Sequence, residues 1–390
     1  MDEETKTLSE KVLNGVGFGL SVLLADLGSN SGLFDALAAG GQQTAEELAK
    51  RTGLVERYVL DWLANQVAVG FVSLVRPVEE RPRFYLSDAQ KRVFVNPENQ
   101  TCHLVFTGLM TAGAHNILNR LPRDFKEGKG IPFGENHPTA FTLSDIDRKT
   151  FPLEGTMRPI IASLPPSLKD RFTPSGQASS SGGPMVVLDV ACGRGSLMRY
   201  FAKHFPGHLY VGLDNHEPSL ETARQRTIEE DLSPLNPLFH KADAHTLTLL
   251  SRVPMIREAW NTVCASAAAP LPEKVDLVFM QEALHDLADP LAALVAVRAL
   301  LADKGALYVV EPGHKDFRLE TLAGPLDACL AAASISLCGP GGMAGRPDGL
   351  PCSSAHLGTI APDAAYFDLA KKAGFGNVSK AAERVYRFMI

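Results

Sequence analysis

The sequence predicts an α/β protein: a mostly parallel sheet with helices on both faces, preceded by a mainly helical domain carrying a small β-ribbon. Three observations carry this prediction. Beyond residue 184, apolar runs end in Gly or acidic residues and alternate with helical stripes, the pattern of strands and crossover helices. Before residue 97 the apolar period is helical apart from one hairpin signal. The 390 residues also exceed a single domain, at roughly 100–200 residues each.

In the opening segment Leu8, Val12, Val16 and Leu20 recur every four residues, widened by Leu13, Leu23, Leu24 and Leu27. This is an amphipathic helix whose broad apolar stripe needs a partner. Helical signals follow at Gly32 to Ala39, at Thr44 to Ala49 behind the capping-box residues Thr44 and Glu47, and at Val55 to Val69. A hairpin of Phe71 to Val75 and Arg83 to Ser87, joined by the Pro- and charge-rich Arg76 to Pro82, completes a winged-helix pattern over 1–96. A winged helix can read DNA through its second helix-turn-helix element. Here Val55 to Val69 carries only Glu56, Arg57 and Asp61, net −1, and Thr44 to Arg92 is only net +1. Phosphate neutralisation requires clustered cations. A dimerisation scaffold, and hence a homodimer, is the expectation.

Residues 97–172 read as an irregular helical connector contributing to the substrate pocket, broken by prolines from Pro122 to Pro166. Met110, His115, Phe141 and Met157 line a pocket or are plain core. The Ser/Gly-rich 173–184 reads as a flexible linker. Within 185–390, strands are expected at Met185 to Val190, Leu209 to Leu213, Leu238 to Lys241, Val275 to Met280 and Ala306 to Val310. Asn377 to Ala381 and Val385 to Met389 form an antiparallel edge hairpin, and Cys264 to Pro270 suggests a surface insertion.

Apolar residues at 45% and charged residues at 21% exclude a disordered or fibrous chain. A net charge of −6 lacks the positive field of a non-specific nucleic-acid or membrane binder, which leaves a small molecule as the expected partner. The start of the chain is acidic, without a secretory pattern, so a cytoplasmic protein is expected. The longest uncharged stretch, Ala328 to Gly345, is broken by Gly and Pro, so no membrane span is expected. Six cysteines without a Cys-x-x-Cys pair read as reduced thiols, and no metal site is expected.

The strongest signal is Val187-Leu-Asp189-Val-Ala191-Cys-Gly193-Arg-Gly195-Ser196, a buried strand turning through small residues into a helix. Gly193 and Gly195 remove Cβ atoms where main chain must approach a ligand, and the helix start offers free N–H groups. Asp214 ends the next strand, 19 residues after Gly195, where a carboxylate can accept both ribose hydroxyls of an adenosine cofactor. The dinucleotide fingerprint asks for Gly or Ala three residues after the second Gly, where this chain has Met198, so an aminoacyl sulfonium cofactor fits better.

These residues resemble the first motif of the Rossmann-like S-adenosylmethionine-dependent methyltransferases, acid-x-Gly-x-Gly-x-Gly, with Ala191 in place of the first Gly. The resemblance extends through Gly212 to Arg224, Ala283 to Pro290 and Ser336 to Cys338 to a subgroup with an N-terminal winged helix. It implies a Rossmann-like seven-stranded methyltransferase sheet and S-adenosyl-L-methionine as cofactor. It further implies that Asp189, Ala191 and Gly193 hold the methionine portion, Asp214 the ribose, and Asp243 and Ala244 the adenine, with Gly195 and Asn215 also binding the cofactor.

His285 follows the fourth strand and Glu311 closes the fifth, so both should face the ligand crevice. Small-molecule O-methyltransferases of the plant type carry a His-Asp pair here, with the His as general base and a Glu orienting it. His285-Asp286 and Glu311 stand at those positions. An imidazole near pKa ~6.5 can take the proton of a hydroxyl acceptor at neutral pH. Alternatively His285-Asp286 shapes the loop entering the helix capped by Asp289 and Pro290. Gly339 to Ala355, with His356, resembles a mobile segment able to close over substrate. O-methylation is expected, with N- or C-methylation, or a cofactor-sensing regulator without turnover, as alternatives.

Overall fold

The computed structural model describes residues 2–77, 81–95, 104–143, 153–172, 183–247, 254–264, 270–313, 315–346, 349–350 and 356–390. The chain divides into two compact units, Met1–Ala114 with Pro138–Pro152, and His115–His137 with Leu153–Ile390. The connector read over 97–172 is thereby split between them, and 173–182 of the expected linker lies outside the described residues.

The first unit contains α1 (Glu3–Asn30), α2 (Leu33–Gly40), α3 (Ala45–Thr52), α4 (Glu56–Ala68), β1 (Ser73–Val75), β2 (Arg83–Tyr85) and α5 (Asp88–Phe94). Thr44 and Glu47 form the expected capping box at α3. Phe34, Leu37, Leu48, Trp62 and Leu63 make the core, and Trp62 donates its ring N–H to Leu24 O at 2.8 Å. Both strands are shorter than expected. Phe71 and Val72 donate their N–H groups back to Gln66 O at the end of α4, and Ser87 caps α5 in a second box with Gln90. Leu8, Val12, Leu13, Val16 and Leu20 on α1 are all more than half exposed.

In the second unit, β3 (Val186–Val190), β4 (Leu209–Asp214), β5 (Leu238–Lys241), β6 (Val275–Gln281), β7 (Leu301–Val310), β8 (Asn377–Ala382) and β9 (Val385–Met389) form one sheet in the order β5-β4-β3-β6-β7-β9-β8. All seven expected strands are present, parallel except for β9, which pairs antiparallel with β7 and β8. Continuous burial of β3 follows from helices on both faces of the sheet, which build a core on each side: Val186, Leu188 and Val190 face one, Val187 the other. The strand order reverses between β3 and β6, which opens a crevice at their carboxyl ends.

Several expectations change. β7 starts at Leu301, because a register shift lets Leu301 pair with Val275 ahead of Ala306 with Leu277. The long connection before β6 carries the helix Pro254–Val263, whose Ile256, Ala259 and Trp260 are core, while 265–269 lies outside the described residues. Met157, read as pocket or core, is fully buried core. The segment read as mobile is helical at Gly339–Met343, and Arg346 pairs with the buried Asp289 at 3.2 Å; 347–348 and 351–355 lie outside the described residues. By length and composition Glu3–Asn30 and Gly324–Met343 are long and apolar enough to cross a membrane, as a core helix of a soluble protein also can be, and the helix Gly324–Met343 continues through the Gly and Pro expected to break it. The latter buries Leu330, Ala333 and Leu337 within the second unit. Among the described residues, Cys192, Cys264, Cys329 and Cys338 are free thiols.

Candidate active site

The turn after β3 puts Ala191, Gly193 and Gly195 in the left-handed region, at φ +59°, +53° and +71°. A side chain at Ala191 carries strain there, of order 1 kcal/mol, a cost found at ligand-binding turns. The two glycines serve different ends. A Cβ on Gly193 would meet nothing within 4 Å, so its bare face is open to a ligand. One on Gly195 would lie 2.3 Å from the Phe239 ring and 2.9 Å from Ala223 Cβ, so Gly195 lets the helix Ser196–His204 pack down.

Asp214 ties the turn to β4. Its Oδ2 accepts from Gly193 N at 2.7 Å and its Oδ1 from His216 N at 2.8 Å. Burial pushes its carboxyl up, while the His216 and Gly193 N–H groups pull it down; the net value is raised. A carboxylate so held retains lone pairs for two ribose hydroxyls. Asn215 is exposed beside it, and Ala242 N donates to Asp214 O at 2.9 Å, laying the β5 loop alongside. There Asp243 Oδ1 binds His245, at 2.9 Å from its N and 2.6 Å from its ring Nδ1, with Ala244 buried between them. His245 was not anticipated; it is buried, and its Nε2 accepts from Asp289 N at 3.3 Å. Asp189 is buried at the end of β3, and Phe133 meets the His216 ring edge-on at 5.4 Å. The open face of Gly193 and the presented carboxylate of Asp214 fit an adenosine-containing cofactor.

Across the switch point, His285 and Asp286 sit on the turn Leu284–Asp286 after β6, and Glu311 directly follows β7. His285 Nδ1 lies 2.5 Å from Glu311 Oε2, and Nε2 lies 3.0 Å from Asp286 Oδ1. His285 and Glu311 are buried, whereas the Asp286 side chain is 36% exposed and marks the open side. Burial pulls the imidazole down, but Asp286, Glu311 and Cys338 outweigh it and hold His285 well above its ordinary 6.5, higher than the sequence suggests. Cys338 enters from the π-helical turn Ser334–Cys338, a partner that sequence analysis left without a role. Burial and the Asp286 charge push its thiol up to about 12, so it stands as S–H at neutral pH. His285, Asp286 and Cys338 offer ligand atoms within 4.8 Å of one another, a donor set that a divalent cation would use only after displacing that tightly held thiol proton. The arrangement suits proton transfer: Glu311 fixes one ring nitrogen, and the other meets Asp286, the partly exposed member of the cluster.

Residues 182–329 match the model of a methyltransferase domain, and residues 19–90 that of the Rv2258c-like winged HTH domain. The chain is similar to trans-aconitate 2-methyltransferase of Methylobacterium radiotolerans, 27% identical over 51% of this chain and 65% of that protein. It is also similar to the ubiquinone biosynthesis O-methyltransferase of Haemophilus ducreyi, 30% identical over 32% of this chain and 43% of that protein. The matches thus span less than two thirds of either curated relative. Among solved structures, the mitomycin 7-O-methyltransferase MmcR aligns over 99% of this chain and 98% of its own, with TM-score 0.65 and 16% identity. Human N-acetylserotonin methyltransferase in complex with SAM aligns over 100% and 97%, with TM-score 0.59 and 17% identity. The fold is therefore theirs. The chain joins a winged helix-turn-helix domain to a Rossmann-like methyltransferase domain, the architecture of the S-adenosylmethionine-dependent methyltransferases with an N-terminal winged helix.

Proposed function

We propose that the protein is an S-adenosyl-L-methionine-dependent methyltransferase that methylates an oxygen of a small molecule, with His285 as general base. The observation that carries this is the 2.5 Å contact of His285 Nδ1 with Glu311 Oε2 at the carboxyl end of the sheet, on the same rim as the Gly193 turn. O-methyltransferases among the similar proteins support oxygen as the acceptor atom.

Asp189, Ala191 and Gly193 would hold the amino-acid portion of the cofactor, with Gly195 seating the helix start beside it, Asp214 and Asn215 would line its ribose, and Asp243 and Ala244 its adenine. When bound, the cofactor supplies an electrophilic methyl group on a sulfonium. Glu311 keeps the proton on Nδ1, so Nε2 takes the acceptor's hydroxyl proton, and Asp286 on the open side orients the incoming hydroxyl. With these side chains buried and fixed, an acceptor held by them would be positioned for attack on the methyl, and positioning lowers the barrier. The test is a screen of phenols, carboxylic acids and amines with methyl-labelled cofactor. Label in phenols, lost in His285→Asn, is expected; label confined to amines, with His285→Asn fully active, overturns the reading.

The winged helix serves assembly in this reading. On α4, Arg57 pairs with Asp61 at 3.1 Å, which leaves no cationic face for phosphate. The exposed Leu8, Val12, Leu13, Val16 and Leu20 of α1 suit α1 of a second copy as occupant. Leu13→Glu with Val16→Glu is expected to convert a homodimer to a monomer in light scattering, and an unchanged mass would reject the interface. The free thiols suit a cytoplasmic location.

A further inference from the structure

Arg384 is 1% exposed, although arginine is almost never fully buried unless paired. It sits at the turn between β8 and β9 with φ +55°, a left-handed conformation that a side chain adopts only when its surroundings enforce it. Its guanidinium donates to Pro312 O at 3.1 Å, Ala361 O at 2.9 Å, Asp363 Oδ1 at 3.4 Å and the Tyr366 hydroxyl at 3.4 Å. It also lies over the rings of Phe317, Tyr366 and Tyr386. Two of its contacts lead to the candidate base. Arg384 O accepts from Glu311 N at 2.9 Å, and the Tyr366 hydroxyl that Arg384 binds donates to Glu311 Oε2 at 3.3 Å. That same oxygen meets His285 Nδ1, while Glu311 Oε1 is buried with no hydrogen-bond partner among the described residues. One carboxylate oxygen therefore carries both bonds.

We propose that Tyr366 and Arg384 are positioning residues for the base: Arg384 anchors Glu311 through its backbone and aims the Tyr366 hydroxyl, which holds Glu311 Oε2 against His285 Nδ1. The proposal rests on the reading of His285 as general base. Its rival is that both residues merely pack the β8–β9 turn, where Tyr366 stacks on Tyr386 with centroids 4.7 Å apart. Tyr366→Phe separates the two, since it keeps the stacked ring and removes only the hydroxyl.

The groups facing His285 are Asp286 on its own turn, Glu311 after β7, Cys338 on the π-helical turn, and Tyr366 on the helix Asp363–Lys372. Without the tyrosine donor, Oε2 gives all its electron density to Nδ1–H, and the imidazolium is held more tightly. In the full-length protein with 15N-labelled histidine, the His285 resonances are assigned by their loss in His285→Asn. Tyr366→Phe is expected to move the His285 titration upward by about half to one pH unit and to shift its Nδ1–H proton signal, with thermal stability close to wild type. Turnover is expected to fall about 3–10-fold at unchanged acceptor KM. Arg384→Lys, which shortens the reach to Tyr366, should shift the titration the same way by less. A Tyr366→Phe titration superimposable on wild type, with His285→Asn inactive, overturns the relay and leaves the base reading standing; an active His285→Asn overturns both.

Discussion

Replacing His285 with Asn is expected to lower methyl transfer to a hydroxyl acceptor by about 10²–10⁴-fold while cofactor affinity stays within about twofold, because general-base catalysis contributes on that scale and the residue lies across the sheet's switch point from the Gly193 turn. The pH dependence makes the prediction specific. A protonated imidazole cannot accept a proton, so the rate rises with pH, and its acid limb should sit above 6.5 because Asp286 and Glu311 hold the imidazolium. Stability runs the other way. With the folded value raised, the stabilisation from this cluster is fully present below the unfolded value of about 6.5 and is lost as pH rises through the folded value. Activity and stability should therefore cross over the same window. Thermal melts and turnover measured together across pH check this, and an acid limb at or below 6.5 contradicts the assigned geometry.

The same cluster shows where reading the sequence reaches and where it stops. The strands were legible because buried parallel strands are continuous apolar runs, as in Val186–Val190, and the helix before Gly53 because Thr44 and Glu47 form a local cap. The five residues that open β7 were not, since Asp303, Lys304 and Gly305 mimic a turn, and of the five only Leu301 pairs with β6, ahead of a register shift. Ser87 was read as the end of a strand because its role depends on Gln90 closing a box around it. His285, Asp286 and Glu311 could be placed because each follows a strand directly. Cys338, Tyr366 and Arg384 could not be joined to them, since these contacts bridge distant chain segments that only the folded sheet brings together, as with Tyr366 and Glu311, 55 residues apart. Local spacing carries no record of such pairs, and a buried arginine runs against every compositional prior.

Asp214→Asn is expected to weaken cofactor binding by about 10–150-fold, the equivalent of about 1.5–3 kcal/mol for hydrogen bonds to a charged group, without a matching loss of fold stability. The separation follows from the carboxylate's environment. Its value is raised by burial, so in the free protein the charged form is disfavoured. Such a group adds stability below its unfolded value and loses it as pH rises through the folded one, which makes ionised Asp214 a cost to the free protein at neutral pH. Asn removes the charge and keeps one acceptor, so either Gly193 N or His216 N, each now bonded to a separate oxygen, loses its partner. These opposed effects should leave the melting temperature nearly unchanged, while the ribose loses a charged acceptor and residue 214 keeps only one of its two backbone donors. Wild-type affinity should likewise fall on acidification before the fold is lost, as protonation turns Asp214 into a neutral acid. Calorimetric titration with S-adenosylmethionine across pH, beside thermal melts of both proteins, tests the whole argument. Equal affinity for the two proteins at neutral pH would mean that the nucleoside does not lie on Asp214.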